Sequence, residues 1–420
     1  MPNNIWWALD ITRKQNDGRV GALIWAMSFA QFGLWMLTIT PIILSLPLRI
    51  SQIDPHHSVA DQSMVMGCGA FVMMFSAPFL GAVSDFTATP FGRRRPYLIG
   101  GFLVGAMASI VMAVSNSLWV IAIAWCVAFS VLESACTVLL ACVGDFIPPE
   151  RRGRAASGIA VATSVASVAG SYIVSWAHLD PVEMFGFPLA ASLLVVPWVL
   201  FLLPDHCDGS GFRVDIRSAA RLAFSRGPQR LQGNFLGILL SRFLVFVGLA
   251  VYVIYQAFDI TAHINAPVAS VPHIVLLGAL ASAGAVLFGA PLIGYISDRY
   301  GRRKDFAILG GLMLACGLLT IALTANPGGF IVGTCLLAAG VGIYNSQTIA
   351  LSASLMDGEN VMGRGMGWLS MIATLPRVVV PLAVPLFLTL NGVDNYSVLF
   401  LTAALITAVG AFAILPVKAR

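Results

Sequence analysis

"GAVSDFTATPFGRRRP", running from Gly81 to Pro96, decides how this chain of 420 residues is read. An apolar run ends at Ser84. One acid follows, Asp85, then a set of turn residues, then Arg93, Arg94 and Arg95 in a row. A shorter version, "GYISDRYGRRK", returns at Gly294 to Lys304. The spacing is fixed, since 81 + 213 = 294 and 85 + 213 = 298, which is Asp298. A second pair keeps almost the same step. "DFIPPERRG" carries Asp145, Arg152 and Gly153; "DGENVMGRG" carries Asp357, Arg364 and Gly365, and 145 + 212 = 357. Two unrelated motifs at offsets one residue apart mean that the chain is written twice.

Composition says what solvent these two copies live in. Hydrophobic residues make up 58% and charged residues 10%, against roughly 25% charge in a soluble domain. So apolar a chain cannot cover itself with a polar surface. Its solvent is a bilayer. Runs of about 20 residues, enough to cross a ~30 Å hydrocarbon core, are read at 21–47, 63–84, 97–115, 118–144, 155–177, 184–204, 233–258, 271–297, 306–325, 328–356, 365–390 and 397–415. Most are apolar on every face, unlike the helices of a soluble protein. The expectation is an all-α membrane protein of twelve transmembrane helices in two six-helix bundles. Residues 1–20 form a cytoplasmic and interfacial N-terminus, 21–204 the first bundle, 205–232 a basic cytoplasmic linker and 233–420 the second bundle. Trp6 and Trp7 suit headgroup level. The first span has no small-residue cleavage pattern behind it and reads as a retained helix.

Arginine sets the orientation. With the N-terminus inside, the inner segments collect 21 of the 24 basic residues. Only Arg49 falls outside, while Arg242 and Arg377 lie within spans. The positive-inside rule therefore places both termini in the cytoplasm of a cell-membrane protein. The same bias accounts for the net charge of +5, so no nucleic-acid partner is implied. Six of the seven cysteines fall within spans, none at Cys-x-x-Cys spacing, which suits packing rather than a metal or disulfide framework. No G-x-x-x-x-G-K-[ST] loop is present, so any uphill work draws on an ion gradient. No cofactor, no metal and no enzyme chemistry is expected.

Asp85 ends an inward-running helix and meets the negative end of that helix's own dipole, an unfavourable place for an acid. Arginine, or another helix's N-terminus, makes it tolerable. Such a loop can clamp two bundles together and release them. The candidate gate residues are Asp85, Arg93, Arg94, Asp145 and Arg152 in the first half, with Asp298, Arg302, Arg303, Asp357 and Arg364 in the second. The bland alternative is that the arginines only enforce topology.

Of nineteen acids, Glu133 alone lies in mid-span. It is twelve residues from Asp145, about 18 Å at the helical rise. Arg377, just after Pro376, is thirteen residues from Arg364, about 20 Å. The acid and the arginine therefore share a depth in opposite halves, and are read as the proton-coupling pair. The repeat offset gives 133 + 212 = 345, where the chain has Asn345. One half keeps the acid, the other an uncharged hydrogen-bonder. Arg242, nearer the cytoplasmic side, is equally readable as a snorkelling cation. Cys126, Ser130, Glu133 and Thr137 form a small, polar face suited to a cavity. Gln31, Trp35 and Thr38 in span one, Ser130 in span four, Tyr252 and Gln256 in span seven, and Tyr344, Asn345 and Gln347 in span ten are the candidate substrate contacts. Amides, hydroxyls and flat aromatic surfaces suit a hydroxyl-rich ligand. Trp125 is a further candidate surface, and Asp259 lies at the outer mouth. Gly101-x3-Gly105 reads as close helix packing.

These motifs carry a resemblance. Gly-x-x-x-Asp-(Arg)-x-Gly-Arg-Arg after spans two and eight resembles the signature of the major facilitator superfamily, over the whole chain. "QFG" and "TP" in span one (Gln31, Phe32, Gly33, Thr40, Pro41), with the stretch from Pro78 to Pro96, look like plant sucrose–proton symporters and their relatives. They are similar, more loosely, to glycoside–pentoside–hexuronide:cation symporters. There are departures: no Asn pair follows Glu133, and the acid stands about one turn nearer the cytoplasm. The resemblance implies a monomeric secondary transporter that moves a sugar or glycoside, together with protons, across the lipid bilayer. A proton-antiporting exporter is the alternative, although span five has no proline in "SGIAVATSVASVAGSYIVSW". A membrane sensor on a transporter scaffold is a third reading, with no need of intramembrane charges in both halves.

Overall fold

The computed structural model describes residues 4–85, 87–88, 92, 94–148, 151–177, 179–202, 213–214, 233–289, 302–354, 369, 371–391 and 395–417. The chain folds as α1 (Asn4–Thr40), a π-turn (Pro41–Ser45), α2 (Leu46–Ile53), α3 (Ser58–Asp85), β1 (Thr87–Ala88), α4 (Arg95–Val114), α5 (Leu118–Phe146), α6 (Arg152–Ser175), α7 (Pro181–Leu202), β2 (Arg213–Val214), α8 (Gly233–Ala262), a 3-10 turn (Val268–Ser270), α9 (Val271–Gly284), a π-turn (Ala285–Gly289), α10 (Arg303–Leu323), α11 (Pro327–Ser354), α12 (Pro376–Asn391) and α13 (Tyr396–Phe412). Among the described residues ten helices are long and apolar enough to cross a membrane. Two shorter apolar helices, Pro181–Val196 and Tyr396–Phe412, stand where the sixth and twelfth spans are expected. All-α is therefore the class, with one two-residue strand pair as the exception.

The surface fits hydrocarbon rather than water. Met107, Leu194 and Leu382 are 67%, 77% and 72% exposed, which a soluble protein seldom tolerates over contiguous area. Polar groups such as Thr38, Ser241, Asp259 and Thr348 are wholly buried between helices instead.

Span one is longer than expected. Pro41 has no N–H to give to the preceding turn. The helix widens there into the π-turn, with Leu46 N–H donating to the Pro41 carbonyl, and runs on through α2 to Ile53. Arg49 consequently lies inside the helix and not in a loop. Its guanidinium donates to the Ser115 carbonyl and to Asn116 Oδ1, both at 2.7 Å, satisfying a carbonyl left over at the end of α4.

Packing divides at the linker. α1 lies against α5, α6 and α7, and α5 against α3 and α4; beyond the linker α10 lies against α11 and α13, and α8 against α12 and α13. The two sets meet chiefly along α3–α12 and α6–α9. The linker also touches the loop of the opening motif: β1 and β2 pair antiparallel, Thr87 opposite Val214 and Ala88 opposite Arg213.

Small residues set the closest crossings. A Cβ on Gly101 would lie 2.9 Å from the Val131 carbonyl oxygen on α5, so the Gly101-x3-Gly105 reading holds. A tighter seam joins α10 to α11. A Cβ on Gly310 would meet Tyr344 N at 2.6 Å, and one on Gly317 the Gly333 carbonyl at 2.5 Å. Backbones this close fix the rotation of α11, and with it the side on which Tyr344 and Asn345 stand.

Candidate functional site

Glu133 and Arg377 meet across the two halves. Arg377 Nη1 lies 3.8 Å from Glu133 Oε1. Each side chain is placed by its own helix. Glu133 is carried in mid-helix on α5, and Thr137 folds its hydroxyl back on the Glu133 carbonyl at 2.9 Å. Arg377 stands at the broken start of α12. Pro376 supplies no N–H, the chain turns at Leu375, and Val379 N–H takes the Leu375 carbonyl at 3.1 Å. The arginine side chain is 39% exposed and the glutamate 17%. The contact is therefore reachable from open space on the arginine's side. Glu133 Oε1 accepts no hydrogen bond, so 3.8 Å is a charge contact and not a locked bidentate pair.

Arg242 is not a snorkelling cation. It is 6% exposed and its guanidinium turns inward to α11. Nη1 donates to Thr348 Oγ1 at 2.9 Å and Nη2 to Asn345 Oδ1 at 2.8 Å. The carbon of the guanidinium lies 4.9 Å from the Phe246 ring centre, a cation–π contact. Next to it Ser241 and Tyr344 hydroxyls meet at 2.8 Å. The residue at the repeat position of Glu133 is thus committed to an arginine of its own half.

The other candidate contacts divide. Trp35 and Tyr252 are partly exposed. Trp35 Nε1 and Ser130 Oγ are buried without a hydrogen-bond partner. Tyr252 donates to Thr334 Oγ1 at 3.3 Å. Gln31 is buried. Thr38 bonds back to the Leu34 carbonyl at 3.0 Å, and Gln256 to that of Val253 at 3.4 Å. Gln347 is buried. Tyr344 is fully buried on Ser241, so it fixes helices. Trp125 does the same: it stacks on Phe129 with ring centres 5.0 Å apart and fills the space left by Gly69.

At the arginine-rich end the two motifs of the first half are joined by Arg94. Arg94 is 4% exposed. It donates through Nε to Asp145 Oδ2 at 3.0 Å and through Nη1 to Ser84 Oγ at 2.6 Å. The two motifs of the first half therefore meet each other, tying the start of α4 to the end of α5 within one bundle. Arg152 donates to the Gly144 and Ile147 carbonyls at 2.8 and 3.1 Å, capping the C-terminus of α5 with a cation. Gly92 adopts φ 104°, a conformation that suits glycine in the Phe-Gly-Arg turn. In the second half Arg302 pairs locally with Asp305 at 2.8 Å, and Arg303 begins α10. Arg93, Asp298, Asp357 and Arg364, with the side chain of Asp85, lie outside the described residues.

At the opposite end the bundles are closed on each other. Ser63 of α3 and Tyr255 of α8 share a hydrogen bond of 2.6 Å, and Tyr255 and Gln62 are wholly buried. One turn beyond Tyr255, Asp259 is buried with His263 Nδ1 at 3.3 Å. Sequence reasoning missed the Ser63–Tyr255 contact. Neither residue belongs to a motif or a polar stripe, and no local spacing announces a partner 192 residues away.

A family model described as Major Facilitator Superfamily matches residues 23–289 and 235–420. No curated protein sequence matches the chain significantly. Among solved structures it is similar to a nucleoside transporter, NupG, with a TM-score of 0.70 at 13% identity, over 95% of this chain and 98% of that one. It is similar to a peptide transporter, POT, in complex with sulfate, with a TM-score of 0.72 at 11% identity, over 95% and 94%. A third is the human organic anion transporter MFSD10, with a TM-score of 0.65 at 17% identity, over 94% and 99%. Three names with three cargoes share the fold, so the fold does not select a substrate.

Proposed function

The chain belongs to the major facilitator superfamily, and on that footing we propose that it is a proton-coupled symporter that carries a sugar or glycoside by alternating access. Membership makes it an integral multi-pass membrane transporter of small molecules and not an enzyme. The finer reading is carried by one observation, the 3.8 Å contact between Glu133 and Arg377 across the two halves. A carboxylate that holds an arginine of the other bundle loses its attraction when it takes a proton. Protonation is thereby tied to the freedom of the halves to rock. The sugar follows from the resemblance of the span-one and span-two motifs, with the partnerless polar atoms of Trp35 and Ser130 and the partly exposed Tyr252 as its stacking and hydrogen-bonding groups. Both termini are assigned to the cytoplasm by the positive-inside rule. The closed Ser63–Tyr255 end then faces outward, and the Arg94–Asp145 clamp steadies the inner face.

Uptake of labelled mono- and disaccharides into proteoliposomes, with and without an imposed proton gradient, tests this reading. Accumulation that requires the gradient supports it. Extrusion of a solute against inward proton flow makes the protein an exporter, and gradient-independent uptake removes the coupling.

A further inference from the structure

We infer that Arg242 is the counter-charge for a carboxylate on the transported molecule, so that the sugar or glycoside is an acidic one and not a neutral one. The inference starts from an imbalance. Mid-membrane, the chain places two cations, Arg242 and Arg377, against one acid. Glu133 is the only acid of nineteen in the middle of a span, and it is already taken by Arg377 at 3.8 Å. Asp259 lies seventeen residues further along α8 from Arg242, about 26 Å at the helical rise, and is held by His263. No acid lies within ion-pair distance of Arg242 among the described residues.

A buried arginine with only neutral partners is costly in a membrane and marks a functional site by default. Its geometry says what it can take. Of the guanidinium's five N–H groups, one on Nη1 goes to Thr348 in a buried bond, and one on Nη2 to Asn345 in a bond that is only part-buried. Nε is buried and has no partner at all. The unsatisfied edge is therefore the one formed by Nε and Nη2. That edge offers two parallel N–H groups in the side-on arrangement that a carboxylate accepts with both oxygens. The Phe246 ring behind the guanidinium and the Thr348 and Asn345 oxygens hold its plane in place, so the fork is pre-organised. Asn345 has a further consequence. An acid there would neutralise Arg242 from within, while the amide orients it and leaves its charge for a ligand.

The inference narrows the proposed function, and one arm of its test rests on it: with one proton per turnover on Glu133, a monoanion and a proton cross together without net charge. The first arm needs no coupling. Thermal unfolding of the purified full-length protein is followed with matched pairs that differ in a carboxylate: gluconate against glucitol, glucuronate against glucose, lactate against propane-1,2-diol. A carboxylate member should stabilise the wild type where its neutral twin does not. Arg242→Gln should weaken that effect roughly tenfold to a hundredfold, the span expected for a charge-assisted hydrogen bond. Arg242→Lys, which keeps the charge without the fork, should weaken it less. Equal or better binding of the neutral twins, no carboxylate-specific binding at all, or undiminished carboxylate binding in folded Arg242→Gln overturns the inference. The second arm uses wild type alone. In proteoliposomes, an imposed membrane potential without a proton gradient should not drive uptake of the bound carboxylate. Potential-driven uptake of a neutral sugar sinks this inference and leaves proton symport standing. Arg242-dependent carboxylate binding with no response to a proton gradient sinks symport and leaves this inference standing.

Discussion

Replacing Glu133 with glutamine fixes the side chain in the shape and charge of its protonated form. The magnitude follows from the separation. Unit charges 3.8 Å apart attract by about 4 kcal/mol at an effective dielectric of 20, and by about 1 kcal/mol in water. Arg377 is 39% exposed, so the contact falls between these limits. At 1.4 kcal/mol per tenfold, protonation shifts the balance between joined and parted halves by roughly fivefold to several hundredfold. A shift of that size is enough to make the closed contact the dominant state when Glu133 is ionised and a minor one when it is not.

Glu133→Gln should therefore abolish accumulation driven by a proton gradient while substrate-for-substrate exchange continues, because exchange needs no release of the proton. Binding, read by thermal shift, should change less than about threefold, since the lost interaction is between the halves and not with the ligand. Arg377→Gln should likewise uncouple. The double variant should be no worse than the worse single one, because two groups that act only on each other are not additive. The assay is paired: uptake under an imposed gradient, and counterflow with none. Concentrative uptake by Glu133→Gln with protons as the sole energy source refutes the reasoning, and Asp259 becomes the candidate. Loss of binding instead makes Glu133 a substrate ligand.

Arg94→Gln should cost about 1–3 kcal/mol of stability. It removes the guanidinium from Asp145 and Ser84, while the Asp145 side chain at 34% exposure retains some water. Arg302→Gln breaks a pair whose side chains are 73% and 55% exposed and should cost well under ~1 kcal/mol; thermal unfolding of both variants in one detergent checks the order. Gly317→Val drives a side chain into the Gly333 carbonyl and Leu337 N, at 2.5 and 2.6 Å from the Cβ. It should destabilise by ~1–3 kcal/mol or more, whereas Gly100→Val, with nothing within 4 Å, should unfold close to wild type. His263 gives a pH test, since the carboxylate of the buried Asp259, 3.3 Å away, holds the imidazole above its usual range. A raised value contributes stability that is complete below about pH 6.5 and is lost as pH rises through it. The melting-temperature gap between wild type and His263→Gln should shrink as pH rises, and a gap that widens contradicts the pairing.

The spans, the repeat and the depth of the central pair were legible because each depends on counting along one chain. Twelve apolar runs reappear as ten long helices and two short ones. A fixed rise per residue was enough to bring Glu133 and Arg377 level, and they lie in contact. Side-chain direction was not legible. Distance from the helix end made snorkelling a fair reading of Arg242, yet Thr348 and Asn345 on α11 turn it inward, and that depends on how α8 and α11 are rotated. The rotation of α11 is set in turn by the Gly310 and Gly317 seam with α10, which the sequence shows only as scattered glycines. Arg94 illustrates the same limit. One acid that it grips is Asp145, fifty-one residues away in sequence and delivered by the far end of α5. Arg49 moved from loop to helix because Pro41 widened a turn instead of ending one.

The repeat explains why the charges divide as they do. The step that relates the halves carries Glu133 on α5 to Asn345 on α11, so the two residues occupy matching helices. In the first half the buried Gln31 of α1 brings an uncharged amide and no cation, and Glu133 reaches the arginine of the other bundle. In the second half the neighbour is Arg242 of α8, which holds Asn345 at 2.8 Å and keeps it at home. Had both positions been acids, Arg242 would be neutralised inside its own half and a second carboxylate would stand at the depth of the first. The bundles would then present matched charges and no preference for where a proton or an anion should go. With an acid in one half and an amide in the other, the group proposed to take the proton and the cation proposed to hold the anion belong to different bodies. Motion of one against the other then changes the surroundings of both at once, which is the physical requirement for coupling two solutes in a single cycle.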